Sequence, residues 1–286
     1  LLVGIEITMA FDHSSSAVFN RSSNEVKMGR LLVLGLLLFS NVVLANKLPE
    51  ANYYRFWQGF KEPKLTAQEF LSGIPKFMND TVALYSNKGI NTYLVAVPPA
   101  KRPAFVPDEF ALIAFGSEAA YKAARATPEG AAYAADHWNY FDKKTSVSAP
   151  MEPFTASTKE LKANIAYNVL GKPVDWSGSY VTFFIGLRKS EISAEVYKQR
   201  LANHLAIVSN TLEPKGLVGY LALVTDDYEV AYMAWKTEKA MNDAFATPDA
   251  KKVTDDAAEL MDPLMWKASE PFSGQVEEGK FYKTIE

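Results

Sequence analysis

The chain has no cysteine, which excludes disulfides, thiolate nucleophiles, iron–sulfur ligation and cysteine-type zinc sites together. Histidine is scarce too: His13, His137 and His204 are the whole set. No other histidine lies near His204 in sequence, which argues against a multi-histidine metal site, and a Ser-His-Asp triad would have to use His137 or His204. An excess of charge of one sign is also missing. Formal net charge is −3 over 286 residues with both signs interspersed, so a nucleic-acid partner has no electrostatic footprint. GxSxG, P-loop, GxGxxG and HExxH patterns are absent. The main apolar run, Leu31–Phe39, falls well short of the roughly 20 residues that a membrane-spanning helix needs.

That run sits in MGRLLVLGLLLFSNVVLA, residues 28–45, between a short positive start and the small-residue site Val43-Leu44-Ala45. This is the pattern of a signal peptide cut after Ala45, with an uncleaved anchor as the alternative. Without a cysteine at the cut, a lipid anchor is excluded. Residues 1–27, with polar SSS and RSSN runs, read as a disordered leader or a mis-assigned start. The expectation is a periplasmic or secreted protein that begins near Asn46 and has no stable membrane anchor after cleavage.

What the chain does have is a duplication. Glu109–Gly130, EFALIAFGSEAAYKAARATPEG, aligns without a gap on Glu229–Ala250, EVAYMAWKTEKAMNDAFATPDA. Tyr53–Val97 aligns in the same way on Tyr180–Val224, with Phe56/Phe183, Gly59/Gly186 and Tyr93/Tyr220 among the identities. Farther on, Asp136 meets Asp256, and Glu-Pro-Phe recurs at Glu152–Phe154 and Glu270–Phe272. Two copies of this length are tandem domains; a solenoid would need more and shorter units.

Each copy reads as βαββαβ. In the first, an aromatic strand, Tyr53–Lys61, precedes a capping box at Thr66–Glu69. A helix follows with Phe70, Ile74, Phe77, Met78, Thr81 and Tyr85 on one face and Pro75 inside it. Lys88-Gly89 stops it, and strands follow at Ile90–Val97 and Glu109–Phe115. The proline-rich loop between them, Pro98–Pro107, has no counterpart in the second copy. Ser117 and Thr127-Pro128 start the second helical segment, and Ser146–Phe154 is the fourth strand. The second copy repeats this order and ends on a strand over Leu264–Phe272. Asp226-Asp227 reads as a hairpin turn rather than a calcium site.

The fold class is therefore α+β: two ferredoxin-like domains, residues 46–154 and 179–272. Residues 155–178 form a linker with a short helix around Lys159–Leu170, and residues 273–286 a tail. Apolar groups on both faces of the first strands demand a partner for each sheet. Sheet against sheet within one chain gives a pseudo-two-fold α+β barrel, and further homodimerisation is left open.

The stretch SEAAYKAARATPEGAAYAADHWNYFD resembles the second-helix segment of EthD-type domains in the dimeric α+β barrel superfamily. The shared features fall on Glu118, Thr127, Pro128, Glu129, Gly130, Asp136, Phe141 and Asp142. AEVYKQRLANHLAIV is similar to that family's first helix, whose histidine would be His204. The first copy departs by carrying Phe77 there. The superfamily contains haem enzymes, cofactor-free monooxygenases, decarboxylases, cyclases and binding proteins, so the resemblance implies a fold more than an activity.

His204 is the candidate catalytic residue, as a haem ligand or as a general base; the alternative is a hydrogen-bonded core histidine. Haem is the one cofactor it would hold, and no other metal is expected. Tyr54, Phe56, Trp57, Tyr180, Phe183 and Phe184 lie on the paired first strands and would either line a ligand pocket inside the barrel or fill the interface between the sheets. His137 would stand at a pocket mouth or half-exposed on its helix. Arg55 and Arg188 are candidates for an anionic group. The functional expectation is an exported protein that binds a small apolar or aromatic molecule. The alternatives are an oxidoreductase, either haem-dependent through His204 or a cofactor-free monooxygenase, and a structural or partner-binding domain without a pocket.

Overall fold

The computed structural model describes residues 48–284. Residues 1–47, which include the signal-peptide segment, lie outside the described residues, as do 285–286. The first repeat runs β1 (Tyr53–Gly59), α1 (Ala67–Tyr85), β2 (Ile90–Val97), β3 (Glu109–Phe115), α2 (Glu118–Arg125), α3 (Pro128–Tyr140) and β4 (Val147–Ala149). Two short strands follow, β5 (Met151–Pro153) and β6 (Ile165–Asn168). The second repeat runs β7 (Tyr180–Arg188), α4 (Ala194–Leu212), β8 (Leu217–Val224), β9 (Tyr228–Trp235), α5 (Glu238–Phe245), α6 (Pro248–Leu260) and β10 (Met261–Ala268). The chain closes with β11 (Glu270–Pro271) and β12 (Lys280–Lys283).

Local chemistry explains the helix starts. Thr66 accepts from the Glu69 backbone N–H while the Glu69 carboxylate accepts from Thr66 N, the reciprocal capping box that satisfies two otherwise orphaned donors. Thr127 and Thr247 cap α3 and α6 with the hydroxyl alone, accepting from Gly130 N and Ala250 N, and each is followed by proline at the first helical position. Pro75 lies within α1 without ending it.

Two six-stranded sheets result, in the orders β11-β12-β2-β3-β1-β4 and β10-β7-β9-β8-β6-β5. Their inner faces pack on each other, and the helices cover the outer faces. The protein is an α+β fold of two ferredoxin-like units joined sheet to sheet.

The fourth strand of each repeat differs from the sequence reading. Residues 146–154 do not form one strand: β4 pairs with β1, but β5 pairs with β6 in the opposite sheet. The chain crosses at Pro150, which cannot donate to a ladder. The second repeat reciprocates, with β11 and β12 joining β2 of the first sheet. The segment read as a linker with a helix carries β6 instead, and the segment read as a tail carries β12.

These arms are themselves a hidden repeat. Tyr167 and Tyr282 each accept, through the hydroxyl, from the backbone N–H five residues earlier, at 2.8 and 2.9 Å. Lys162 pairs with Glu152, and Lys280 with Glu270. Asn164 N donates to Val224 O, as Gly279 N does to Val97 O. Phe281 is fully buried against Phe183 and Tyr232. Each repeat thus completes the other's sheet.

Candidate functional site

Strand alternation divides the six aromatic candidates between two environments. Tyr54, Phe56 and Phe183 point between the sheets. There Phe56 meets Tyr232 at 5.1 Å between ring centroids, and Phe183 meets Tyr232 at 4.9 Å. Tyr54 donates to Ala51 O and accepts from Trp176 Nε1. These side chains pack into the interface between the sheets, and Tyr54 also borders the depression near Pro150. Trp57, Tyr180 and Phe184 face the helices.

The helix side of the first repeat holds a cleft of about 220 Å³ between its sheet and its three helices. Arg55 and Trp57 come from β1, Tyr93 from β2, Tyr121 and Arg125 from α2, His137 and Trp138 from α3, and Ser148 from the edge strand β4. Trp57 and His137 therefore come together, their rings edge to face at 5.1 Å. Trp57 lies over Gly59, where an added Cβ would come within 2.7 Å of the indole Nε1. Glycine there is a close-packing requirement.

His137 Nδ1 lies 3.4 Å from Tyr133 O. With Nδ1–H donating to that carbonyl, Nε2 is left as an acceptor. Burial, reinforced by the nearby Arg125 charge, pushes this imidazole down to about 4, so it is neutral at physiological pH. Arg55 lies over the Tyr121 ring and Arg125 over the Tyr133 ring, each 5.4 Å from the centroid.

The second repeat carries different side chains at the equivalent positions. Thr182 replaces Arg55, Phe245 replaces Arg125, and Trp266 pairs with Phe184 as Ser148 pairs with Trp57. Phe245 and Trp266 pack on each other and on Trp235 and Phe184, at 5.6 to 5.8 Å between ring centroids. Thr182 accepts from Trp235 Nε1 at 3.3 Å. Where the first copy has Arg125 and Ser148, the second sets two packed rings, half-buried Phe245 and the more exposed Trp266.

His204 lies in this second repeat. It is 4% exposed, and its Nδ1 is 2.7 Å from Asp256 Oδ2. The carboxylate of Glu229 is near its ring and accepts from the Tyr220 hydroxyl at 2.8 Å. His204 lines none of the cavities described in this section. An enclosed imidazole tied to one carboxylate beside a second does not fit a haem. The first repeat keeps the equivalent acids without the histidine. Asp136 pairs with Lys76, and Glu109 is fully buried with neither carboxyl oxygen partnered among the described residues. Burial pushes Glu109 up to about 8.

Two other depressions, of about 330 and 450 Å³, lie beside the Pro98–Pro107 loop and at the Pro150 crossing. At the first, Arg102 is already paired with Asp108. Arg188 is likewise occupied, by Asp227 in the hairpin turn that the acidic pair forms. Among the described residues no cluster of acids and histidines could hold a metal ion, and no helix is long and apolar enough to cross a membrane.

Arg125, Ser148 and Tyr133 were not among the candidates from sequence, nor were Glu109 and Glu229. Glu109 and Glu229 open the two copies of the central stretch, so an acid kept where a strand begins was the available signal. For Arg125 and Ser148 the signal was the reverse, a mismatch between otherwise parallel copies.

No protein-family model matches the chain, and no curated protein matches it in sequence. Solved structures similar to it include a candidate monooxygenase from Lactobacillus acidophilus NCFM, 12% identical, covering 77% of this chain and 92% of that one at a TM-score of 0.35. An anthrone oxidase-like protein is 11% identical over 75% of this chain and 92% of its own, with a TM-score of 0.32. SnoaB, a cofactor-independent oxygenase from Streptomyces nogalater, is 16% identical over 33% of this chain and 95% of its own, with a TM-score of 0.28. All three are distant likenesses.

Proposed function

We propose that the protein binds a small aromatic molecule in the helix–sheet cleft of its first repeat. One observation carries this: the cleft walled by Trp57, Tyr121, Tyr133 and Trp138 is open in the first repeat and plugged by Phe245 and Trp266 in the second. Two copies built on one plan differ here in the side chains that decide whether there is room. The volume lies below the roughly 300–1,000 Å³ of pockets for drug-sized ligands, which suits one or two fused rings. The EthD-type resemblance of α2 and α3 and export on the strength of residues 28–45 belong to the same proposal.

The test is calorimetric titration with 2-naphthol. The wild-type protein should bind it, and Ser148→Trp, which installs the second repeat's plug, should abolish binding. Equal binding by both proteins would rule the cleft out.

A second reading, oxidation of the bound molecule by dioxygen without a resident cofactor, is favoured by His137. A neutral imidazole with Nε2 free to accept suits the hydroxyl of a bound phenol. With 1,4-naphthalenediol, oxygen uptake above the spontaneous rate, yielding the quinone and hydrogen peroxide, would support it. Loss of that excess in His137→Phe is expected, and uptake at the spontaneous rate would leave binding alone.

A further inference from the structure

The geometry points to an anionic ligand: the cleft takes a planar aromatic molecule bearing a carboxylate or phenolate, held by Arg55 and Arg125. This rests on the cleft being the binding site. Both guanidiniums line one chamber and are half-buried. Both act on the buried Tyr85 hydroxyl, and Arg125 acts on His137 as well. Arginine stays charged at any working pH, so two like charges share one half-buried chamber with aromatic walls, where repulsion is screened less than in open water.

Among the described residues no carboxylate pairs with either one. Their supports are instead the faces of Tyr121 and Tyr133, with Arg125 also bonded to the Tyr85 hydroxyl, and neither guanidinium spends its fork on a carboxylate. Other cations of the fold follow a different rule: Arg102, Arg188 and Arg200 all meet carboxylates.

The second repeat removes both charges where it removes the space, with Thr182 and Phe245 at the two positions. Charge and cavity come and go together. An anion entering between the guanidiniums would offset one of the two charges and accept N–H donors from both, while its ring lies against Trp57 and Trp138.

The test compares 2-naphthoate with 2-acetylnaphthalene, a neutral ketone of the same shape, by calorimetry on the full chain. Naphthoate should bind about tenfold more tightly or better, the size of one charge-assisted hydrogen bond. Arg55→Met and Arg125→Met should each erase that preference, bringing naphthoate to the affinity the same variant shows for the ketone, with Arg125→Gln as the second replacement if the first fails to fold. Equal affinity for the two probes, both lost in Ser148→Trp, would overturn the anion proposal and leave the cleft standing. A naphthoate preference that survives Ser148→Trp would place the site elsewhere and overturn both, as would failure of either probe to bind at millimolar concentration.

Discussion

His204 Nδ1 stands 2.7 Å from Asp256 Oδ2, and the first repeat keeps the acid as Asp136 while replacing the imidazole with Phe77. The same register thus holds a polar network in one copy and an aromatic cluster in the other. Around Phe77 gather Tyr133 and His137, at 4.9 and 4.3 Å between ring centroids. The second copy carries Val253 and Ala257 there instead.

Removing one partner of that network should reveal its structural role. Leaving a buried hydrogen-bonding group without its partner costs about 1–3 kcal/mol, and the Asp256 side chain is 30% exposed, which lets solvent offset part of this. Asp256→Ala should lower stability by about 1–2 kcal/mol and Asp256→Asn by less, since the amide oxygen still accepts. A double-mutant cycle with His204→Phe in urea should return a coupling of about 1 kcal/mol. Additive losses would mean that the pair makes no net contribution.

The enclosure of His204 also predicts the outcome of a haem titration. The Soret band should show no saturable shift that His204→Ala removes. A shift lost in the alanine variant would require the Asp256 contact to open and the helix to yield space.

The arms make a sharper prediction about the C-terminus. Phe281 is fully buried between the sheets, so Phe281→Ala should cost about 3–5 kcal/mol, as for other large-to-small core changes. A free tail residue would cost less than about 0.5 kcal/mol. Chemical denaturation separates the two. A small loss would mean that β12 is not docked in solution.

Much of this architecture was legible. Ungapped matches, the Thr66–Glu69 box and the Thr-Pro pairs defined two βαββαβ units and most helix boundaries, because capping and periodicity are local. The arms were not legible. β6 and β12 are short, IAYN and KFYK, and share only the tyrosine; their pairing depends on a distant sheet edge. Alternation could send Tyr54 and Phe56 one way and Trp57 the other, but not tell which side held the space. That depended on Ser148 against Trp266, two positions brought into correspondence only by their partners in β1 and β7.

His137 offers a spectroscopic check on the dryness of the cleft. Its imidazole is held down to about 4, mainly by burial. In proton NMR its ring signals should keep their neutral positions down to about pH 5, and His137→Asn should remove them. A midpoint near the ordinary value of about 6.5 would mean that water fills the cleft. Trp57→Ala, which opens the wall beside the ring, should raise the midpoint. The sign follows from burial penalising the charged form.

Glu109 sets the pH dependence of folding. Its carboxyl is pushed from an ordinary 4.5 up to about 8 by burial. The folded state therefore binds the proton more tightly than the unfolded chain. Its contribution to stability is complete below about pH 4.5 and is lost as pH rises to about 8, because the unfolded chain releases the proton more readily. Over that window the loss is roughly 3–5 kcal/mol, an order-of-magnitude figure for a fully buried group. Glu109→Gln removes the titration and keeps the shape, so the variant should gain on the wild type steadily between pH 5 and 8. Glu229 is raised in the same direction but sits beside His204 and Tyr220; being common to both proteins, it cancels from the difference. Urea midpoints at pH 5, 7 and 9 decide the matter. If the two proteins keep a constant gap, the Glu109 carboxylate has found a partner or water in solution, and the unpaired acid beneath α1 is not the source of alkaline instability. A gap that widens and then levels above pH 8 would identify Glu109 as the buried acid whose ionisation destabilises the first repeat, where Phe77 stands at the position of His204.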